Sequence, residues 1–543
     1  MTTLILLLIV NGLLLVPALA TPGPLPWLAV ETLIVWLLMT GMPRWRRPLA
    51  TGLGTIYAAV LALVAADALI RQSLGRGLNV YLETSAVGDT WHLLHTNLGM
   101  PVAVLLVIAL LAILVLAAAL FRALILRLSR YPILPRRPFW QGRGPILAGA
   151  LALATFTGWA GLPSSGFLAH QASLAVHTHA AAQAFRAQLA EEPASSLQPT
   201  ALERVAEVDV ILAFIESYGI SGLTDDRYRP VLKPRLDTLG EQLERAGLTV
   251  ATGRLRSPVQ GGQSWLGHLS VLSGHWINSQ VAYETFLASD YPTLIDDFRA
   301  TGHQTLAVMP AITEPWPEGQ LFGYDRIYDH NDLGYQGPSF NWVTMPDQYT
   351  WHRFERLRQS TDAPIFAELA LISSHAPWVP ILPVLDDWKE LNNGQVFQQW
   401  KGAGEAPVSL WQDPERVREH YIRAIDYALA VAGGYAERYL AGEDHTLLFI
   451  LGDHQPAPLI TGEDASRDVI VHVISADPAL VAPFLSGQLP GFQAGTLPEL
   501  DRDGVPMSRF RGFLQRHYGA DEGTLKGGFD VGQNPATEPR SDS

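Results

Sequence analysis

Five long apolar stretches open the chain, and from about residue 205 the pattern changes to short apolar runs separated by helix-like polar segments. A helix that crosses a bilayer's hydrocarbon needs about 20 apolar residues. The candidates are roughly 2–20, 26–42, 50–70, 100–121 and 145–168. The first ends in Pro17-Ala-Leu-Ala20, small residues like those of a cleavage site, but no positive residue precedes Leu4 and the apolar run is long, so a retained helix is expected. Residues 170–192, rich in Ala, Gln and Leu, predict a helix. His177 and His179 are two apart, share no helix face and read as surface residues. Pro193 then opens a short linker.

Beyond it, strand candidates alternate with helical stretches. They are Val208–Ile215, Leu248–Thr252, Gln304–Met309, Ile365–Ile372, Thr446–Leu451 and Val469–Ile474, with a helix around Lys233–Ala246. This alternation predicts an α/β domain with a mostly parallel central sheet. The expected organisation is a transmembrane domain of five helices over 1–170, a juxtamembrane helix and linker over 171–204, and an extracytoplasmic α/β domain over 205–520. Residues 521–543, Gly-, Pro- and polar-rich, read as a disordered tail.

Charge divides the same way. Residues 1–170 hold eleven Arg, no Lys and four acids (Glu31, Asp67, Glu83 and Asp89), a net +7; the whole chain is at −14, so the remainder carries −21. An acidic domain lacks the clustered positive charge of a nucleic-acid binder. Arg44, Arg46 and Arg47 lie between the second and third spans, and Arg122, Arg127, Arg130, Arg136, Arg137 and Arg143 between the fourth and fifth. Positive loops stay in the cytoplasm, so the N-terminus is expected inside and the α/β domain outside the cytoplasmic membrane. Asp67, near a helix end, reads as interfacial. The absence of cysteine excludes disulfides, thiolate metal sites and cysteine nucleophiles.

Candidate chemistry gathers where the strands end, the usual place for ligands in a parallel sheet. Leu447–Leu451 runs into Gly452, Asp453 and His454, and the first strand runs into Glu216-Ser-Tyr-Gly219. Glu216 suits a helix-capping turn or a metal ligand equally. Gln260-Gly-Gly-Gln-Ser264 leads into a helical stretch, where Ser264 reads as an N-cap or as a hydroxyl favoured by the helix's positive end. His268, one turn on, reads first as a surface or core residue. Ile365–Ile372 ends in Ser373-Ser-His375-Ala-Pro377, whose proline stops the strand and presents His375. Together these clusters predict two carboxylates and an imidazole holding a divalent cation that activates Ser264 for attack on phosphorus. His375 would contact the phosphoryl oxygens or protonate the leaving oxygen.

The FIES around Glu216, GGQS around Ser264, SSHAPW around His375 and LGDHQP around Asp453 and His454 resemble motifs of the alkaline-phosphatase/sulfatase superfamily. Within it they look like those of the membrane-anchored lipoteichoic acid synthases and phosphoethanolamine transferases. The resemblance covers about 205–485 and implies an alkaline-phosphatase-like fold. It implies one catalytic Mn or Zn on Glu216, Ser264, Asp453 and His454, with His375 on the substrate side. The branch generally has Thr where Ser264 stands. Ser264-Trp-Leu-Gly-His268 lacks the Pro and Arg of a sulfatase motif. Asp347, His352 and His472 are conceivable ligands of a second metal, but one ion is expected. Asp426 reads as structural; Arg467 and His472 could flank the site, though mid-strand His472 reads first as packed. Trp265, Trp316, Trp378 and Trp388 read as core or surface anchors before groove residues.

The expected function is a metal-dependent phosphotransferase. It would move a phospho-alcohol head group from a membrane phospholipid, such as phosphatidylglycerol or phosphatidylethanolamine, through a phosphoserine-type intermediate to a glycan or lipid acceptor. A phosphodiesterase or phosphatase shares all of these residues. A non-catalytic membrane scaffold would be expected to lack ligands that are present here.

Overall fold

The computed structural model describes residues 2–20, 25–74, 77–83, 91, 94–95, 98–131, 153–462 and 464–520. The chain forms two compact units, Met1–Ala190 and Glu191–Ser543. Arg136, Arg137, Arg143, Asp89, the start of the fifth expected span and the 521–543 tail lie outside the described residues.

Among the described residues of the first unit, three helices are long and apolar enough to cross a membrane: Thr2–Ala20, Pro43–Arg71 and Met100–Leu128. Within these lie α1 (Thr2–Leu15), most of α3 (Arg46–Leu74) and α4 (Met100–Leu128). The expected span at 26–42 yields only α2 (Val30–Gly41), twelve residues, or about 18 Å of helix against a hydrocarbon core of about 30 Å. The expected fifth span is not one helix over its described part. Gly158 adopts φ 76°, Ala160–Gly161 pairs as a short parallel strand with Leu28–Ala29, and α5 (Pro163–Glu191) starts afresh at a proline. Among the described residues, then, three helices have spanning length, and the expected five are not confirmed. Asp67, expected at the interface, is buried, with Arg71 Nε 2.7 Å from its Oδ2 and the Leu78 N–H on Oδ1.

The second unit is a nine-stranded mixed sheet. Its strands are β1 (Asp209–Ile215), β2 (Thr249–Arg256), β3 (Gln304–Met309), β4 (Arg326–Asp329), β5 (Ile365–Leu371), β6 (Thr446–Gly452), β7 (Asp468–Ser475), β8 (Gln493–Ala494) and β9 (Val505–Pro506). The order β8-β2-β7-β6-β1-β5-β3-β4 has β9 beside β2. Strands β6, β1, β5, β3 and β4 run parallel, while β7 is antiparallel to both neighbours. The two central strands β1 and β6 are buried almost throughout, as near-continuous apolar runs require of strands covered on both faces.

Helix α6 (Arg229–Arg245) buries Leu232, Leu236, Leu239 and Leu243 at helical spacing. It lies beside α9 (Pro414–Tyr439), to which Arg235 ties it by a 2.6 Å ion pair with Asp426. Two further helices matter to the site: α7 (Ser264–Ser273), which follows β2, and α8 (Asp347–Arg358), which precedes β5.

Candidate active site

The register of the two central strands builds the site. Ile215 of β1 lies opposite Gly452 of β6, so Glu216 and Asp453 leave the sheet as neighbours. Ser217 then takes φ 60°, a costly left-handed conformation for a residue with a Cβ. Its N–H donates to Asp453 Oδ1 at 2.8 Å, and its carbonyl accepts from the Tyr421 hydroxyl of α9 at 3.0 Å. Ser374, beyond β5, donates to the Glu216 carbonyl at 2.7 Å. The turn is thus fixed from three sides.

Ser264 arrives from the other side, as the first residue of α7. Gly261, Gly262 and Gln263 all have positive φ (76°, 148° and 62°), a reversal that the Gly pair makes possible. One turn into α7, a Cβ on Gly267 would stand 2.6 Å from the Asp453 carbonyl oxygen, so glycine lets the helix rest against β6. Ser264 Oγ consequently lies 2.9 Å from Glu216 Oε2 and 3.2 Å from His454 Nε2.

The donor set calls for a cation. His454 Nδ1 lies 2.8 Å from the Gln455 carbonyl, which can only accept, so Nδ1 carries the hydrogen. The lone pair on Nε2 of the neutral ring then faces Glu216 Oε1 at 3.2 Å and Asp453 Oδ2 at 3.8 Å. Ligand atoms of Glu216, Asp453 and His454 all lie within 4.8 Å of one another. Lone pairs gathered at such range need a proton or a metal ion between them, and the Nδ1 bond to a carbonyl is the usual device that orients a ligating imidazole. Two hard oxygen donors and one imidazole suit a divalent ion such as Zn or Mn.

Electrostatics agree. Burial works to raise Glu216, but the adjoining His454 imidazole and, further off, His375 outweigh it and hold the carboxyl well below its usual range. Burial and the Glu216 charge push Asp453 up to about 6. Burial lowers His454, yet the two carboxylates outweigh it and raise the imidazole to about 9. Without metal, then, a proton holds the cluster together.

His375 stands beyond β5 with Nδ1 2.6 Å from the Ala376 carbonyl and its ring 6.5 Å from that of Trp342. The further ligand candidates do not join the cluster. Asp347 spends Oδ1 on the backbone N–H groups of Ile372 and Ser373, and burial pushes its carboxyl up to about 6. His472 is enclosed between the Thr252 and Tyr218 hydroxyls at 2.8 and 2.9 Å. His352 sits on α8 with Nδ1 buried and, among the described residues, unpartnered, and Arg467 Nη1 lies 3.4 Å from the Pro258 carbonyl. Trp378 and Trp388 are buried, and Trp316 packs on Phe322, whereas Trp265, next to the serine, is 44% exposed.

Sequence reasoning missed Ser217, Ser374 and Tyr421, whose contacts depend on non-local pairing, and Trp342. Gly267 left a signal: a glycine inside an otherwise apolar helix marks a close approach.

No family model and no curated protein matches the chain. Among solved structures, it is similar to the lipooligosaccharide phosphoethanolamine transferase A (EptA) of Neisseria meningitidis. The identity is 13%, with 84% of this chain and 83% of that one covered and a TM-score of 0.45. The phosphoglycerol transferase GacH of Streptococcus pyogenes matches at 12% identity over 62% and 89% of the two chains, TM-score 0.35. The lipoteichoic acid synthase LtaP of Listeria monocytogenes matches at 15% over 50% of this chain, TM-score 0.36, and this chain spans 66% of its length.

Proposed function

We propose that this protein is a metal-dependent phosphotransferase of the cytoplasmic membrane, its α/β domain facing outward, that takes a phospho-alcohol head group from a membrane phospholipid and passes it to a glycan or lipid acceptor. The observation that carries the reading is the Ser264 hydroxyl, at the positive end of a helix, 2.9 Å from Glu216 and 3.2 Å from His454. The motif resemblance supports the same chemistry.

Ser264 Oγ forms the new bond to phosphorus as the bond from phosphorus to the diacylglycerol oxygen breaks. The serine proton already points at Glu216 Oε2. His375, presented by the turn after β5, is the group assigned to protonate the departing oxygen. An acceptor hydroxyl then attacks the phosphoserine and restores Ser264. Glu216, Asp453 and His454 would hold a divalent ion, which when bound supplies positive charge for the serine alkoxide and for the phosphoryl oxygens. If water replaces the acceptor, the same intermediate makes the enzyme a phosphodiesterase.

The test is mass spectrometry of the Ser264 peptide after incubating the full chain with Mn in mixed-phospholipid nanodiscs. A glycerol phosphate or phosphoethanolamine adduct names the donor, and its fate with and without an added glycan distinguishes transfer from hydrolysis. An unmodified serine with every lipid overturns the proposal.

A further inference from the structure

The mechanism leaves unused a buried polar cluster that reaches α7. Glu368 stands in the middle of β5, 2% exposed, flanked by Leu212 of β1 and Ala307 of β3. A carboxylate there is costly unless each oxygen finds a donor. One oxygen takes the Tyr324 hydroxyl, and the other takes His268 Nδ1–H of α7 at 2.7 Å. The His268 ring also stacks on Phe214 of β1, centroids 3.8 Å apart and 13° from parallel. Phe214 is two residues before Glu216, next to the end of β1.

Ser264 is four residues before His268, directly above it on α7. The loop that delivers the serine holds three successive positive φ values, one at a non-glycine, and such a conformation persists only where its surroundings over-determine it. His268 supplies that constraint, since it ties the first full turn of α7 to two strands of the sheet at once.

We propose that His268 is a positioning residue for Ser264: its hydrogen bond to Glu368 locks α7 against β1 and β5 and so fixes the serine hydroxyl at Glu216 and His454. The inference rests on the nucleophile reading above and deepens it.

The experiment uses the full chain in detergent, with Mn-dependent turnover of bis(4-nitrophenyl) phosphate and the visible spectrum of bound Co(II) as readouts. His268→Phe keeps a ring on Phe214 but removes the donor. It should lower kcat by about 30-fold or more with KM within about twofold, the mark of lost transition-state positioning. His268→Asn restores an N–H near the Nδ1 position and should return kcat to within about fivefold of wild type. Tyr324→Phe deprives the same carboxylate of a partner without touching α7; it should lower Tm yet leave kcat within about threefold. Should His268→Phe fail to fold, Glu368→Gln takes its place in the kinetic comparison. The Co(II) spectrum of His268→Phe should match that of Ser264→Ala, and that of His268→Asn should match wild type.

If His268→Phe keeps wild-type kcat and spectrum while Ser264→Ala loses both, the positioning role falls and the nucleophile reading stands. If Ser264→Ala itself turns over like wild type, the nucleophile reading falls first. If Tyr324→Phe and His268→Phe lose kcat equally, the cluster is purely structural and the inference is overturned.

Discussion

Two buried histidines, one just past β6 and one on the adjacent antiparallel strand β7, differ in charge for reasons that can be read from their neighbours: His454 is held protonated in the metal-free cluster and His472 neutral. His454, just past the end of β6, faces two carboxylates, which raise it to about 9 against the effect of burial. His472, opposite Ile450 in the middle of β7, sits between two hydroxyls, and burial drives it down to about 3. A neutral imidazole has one donor and one acceptor, which is what Thr252 and Tyr218 satisfy. At His454, by contrast, the Nε2 lone pair of a neutral ring meets two carboxylate oxygens, and three acceptors so crowded need a proton or an ion between them. The His472 arrangement is complete within the fold; the His454 cluster takes a proton or a metal ion from outside it, which marks it as a candidate site.

The harshest way to break the comparison is to dismantle the His454 side. Glu216→Ala and Ser264→Ala should each cost about 10³-fold or more in turnover. Glu216→Ala should also strip metal from the purified protein, measured by elemental analysis. Equal metal content in variant and wild type would remove Glu216 from the cluster.

The mirror experiment is on the other side. His472→Leu leaves the Thr252 and Tyr218 hydroxyls without their partner in a dry interior, a cost of about 2–4 kcal/mol in chemical denaturation. The folded fraction should keep turnover within about threefold, since no metal or substrate atom is touched. A loss of activity without a loss of stability would mean that His472 belongs to the site after all.

Both arms of this contrast were unequally legible in the chain. The apolar runs of β1, β5 and β6 each stop at a polar cluster, so Glu216, His375 and the Asp453–His454 pair stood out by position. The register that sets Ile215 against Gly452 is a non-local pairing, and with it came Ser217, Tyr421 and the hydroxyls around His472, none of which local pattern reveals. Strand β4, Arg326–Asp329, was missed because its side chains are exposed or half-buried and show no apolar run. Over its described part, the expected fifth membrane span breaks for the opposite reason. Apolar composition continues through Gly158, Gly161 and Pro163, and those residues, not the hydropathy, decide where a helix stops.

pH sharpens the same contrast, because the two imidazoles act with opposite sign. His472 has a folded pKa below its usual 6.5, so the unfolded chain takes up a proton that the folded chain refuses. Its contribution to stability is lost as pH falls from 6.5 towards 3, at up to about 1.4 kcal/mol per pH unit. His454 has a folded pKa above 6.5, so in metal-free protein its contribution is full below 6.5 and is lost as pH rises through about 9. Denaturation of wild type and His472→Asn from pH 4 to 7, with chelator present, should show the steeper acid loss in wild type, since His303, His352 and Glu216 titrate in both proteins. Metal affinity should rise with pH up to about 9, as the proton on His454 is displaced. Parallel acid limbs for the two proteins would show that His472 titrates normally.

The mildest prediction concerns a charged pair that belongs to neither cluster. Arg235 and Asp426 join α6 to α9 at 2.6 Å, with side chains 24% and 32% exposed. Solvent screens such a pair, so Asp426→Asn should cost no more than about 1 kcal/mol. It should leave metal content and Ser264 labelling at wild-type levels. Helix α9 does reach the site, through the Tyr421 hydroxyl on the Ser217 carbonyl, but Tyr421 is more than a turn before Asp426 and is held by its own packing on Tyr228 and Trp378. A drop in Ser264 labelling without a drop in Tm would show that the ion pair steers the Glu216 turn through α9. Asp426 would then stand with His454 as a residue of the proposed reaction, and not with His472 as a residue of the fold.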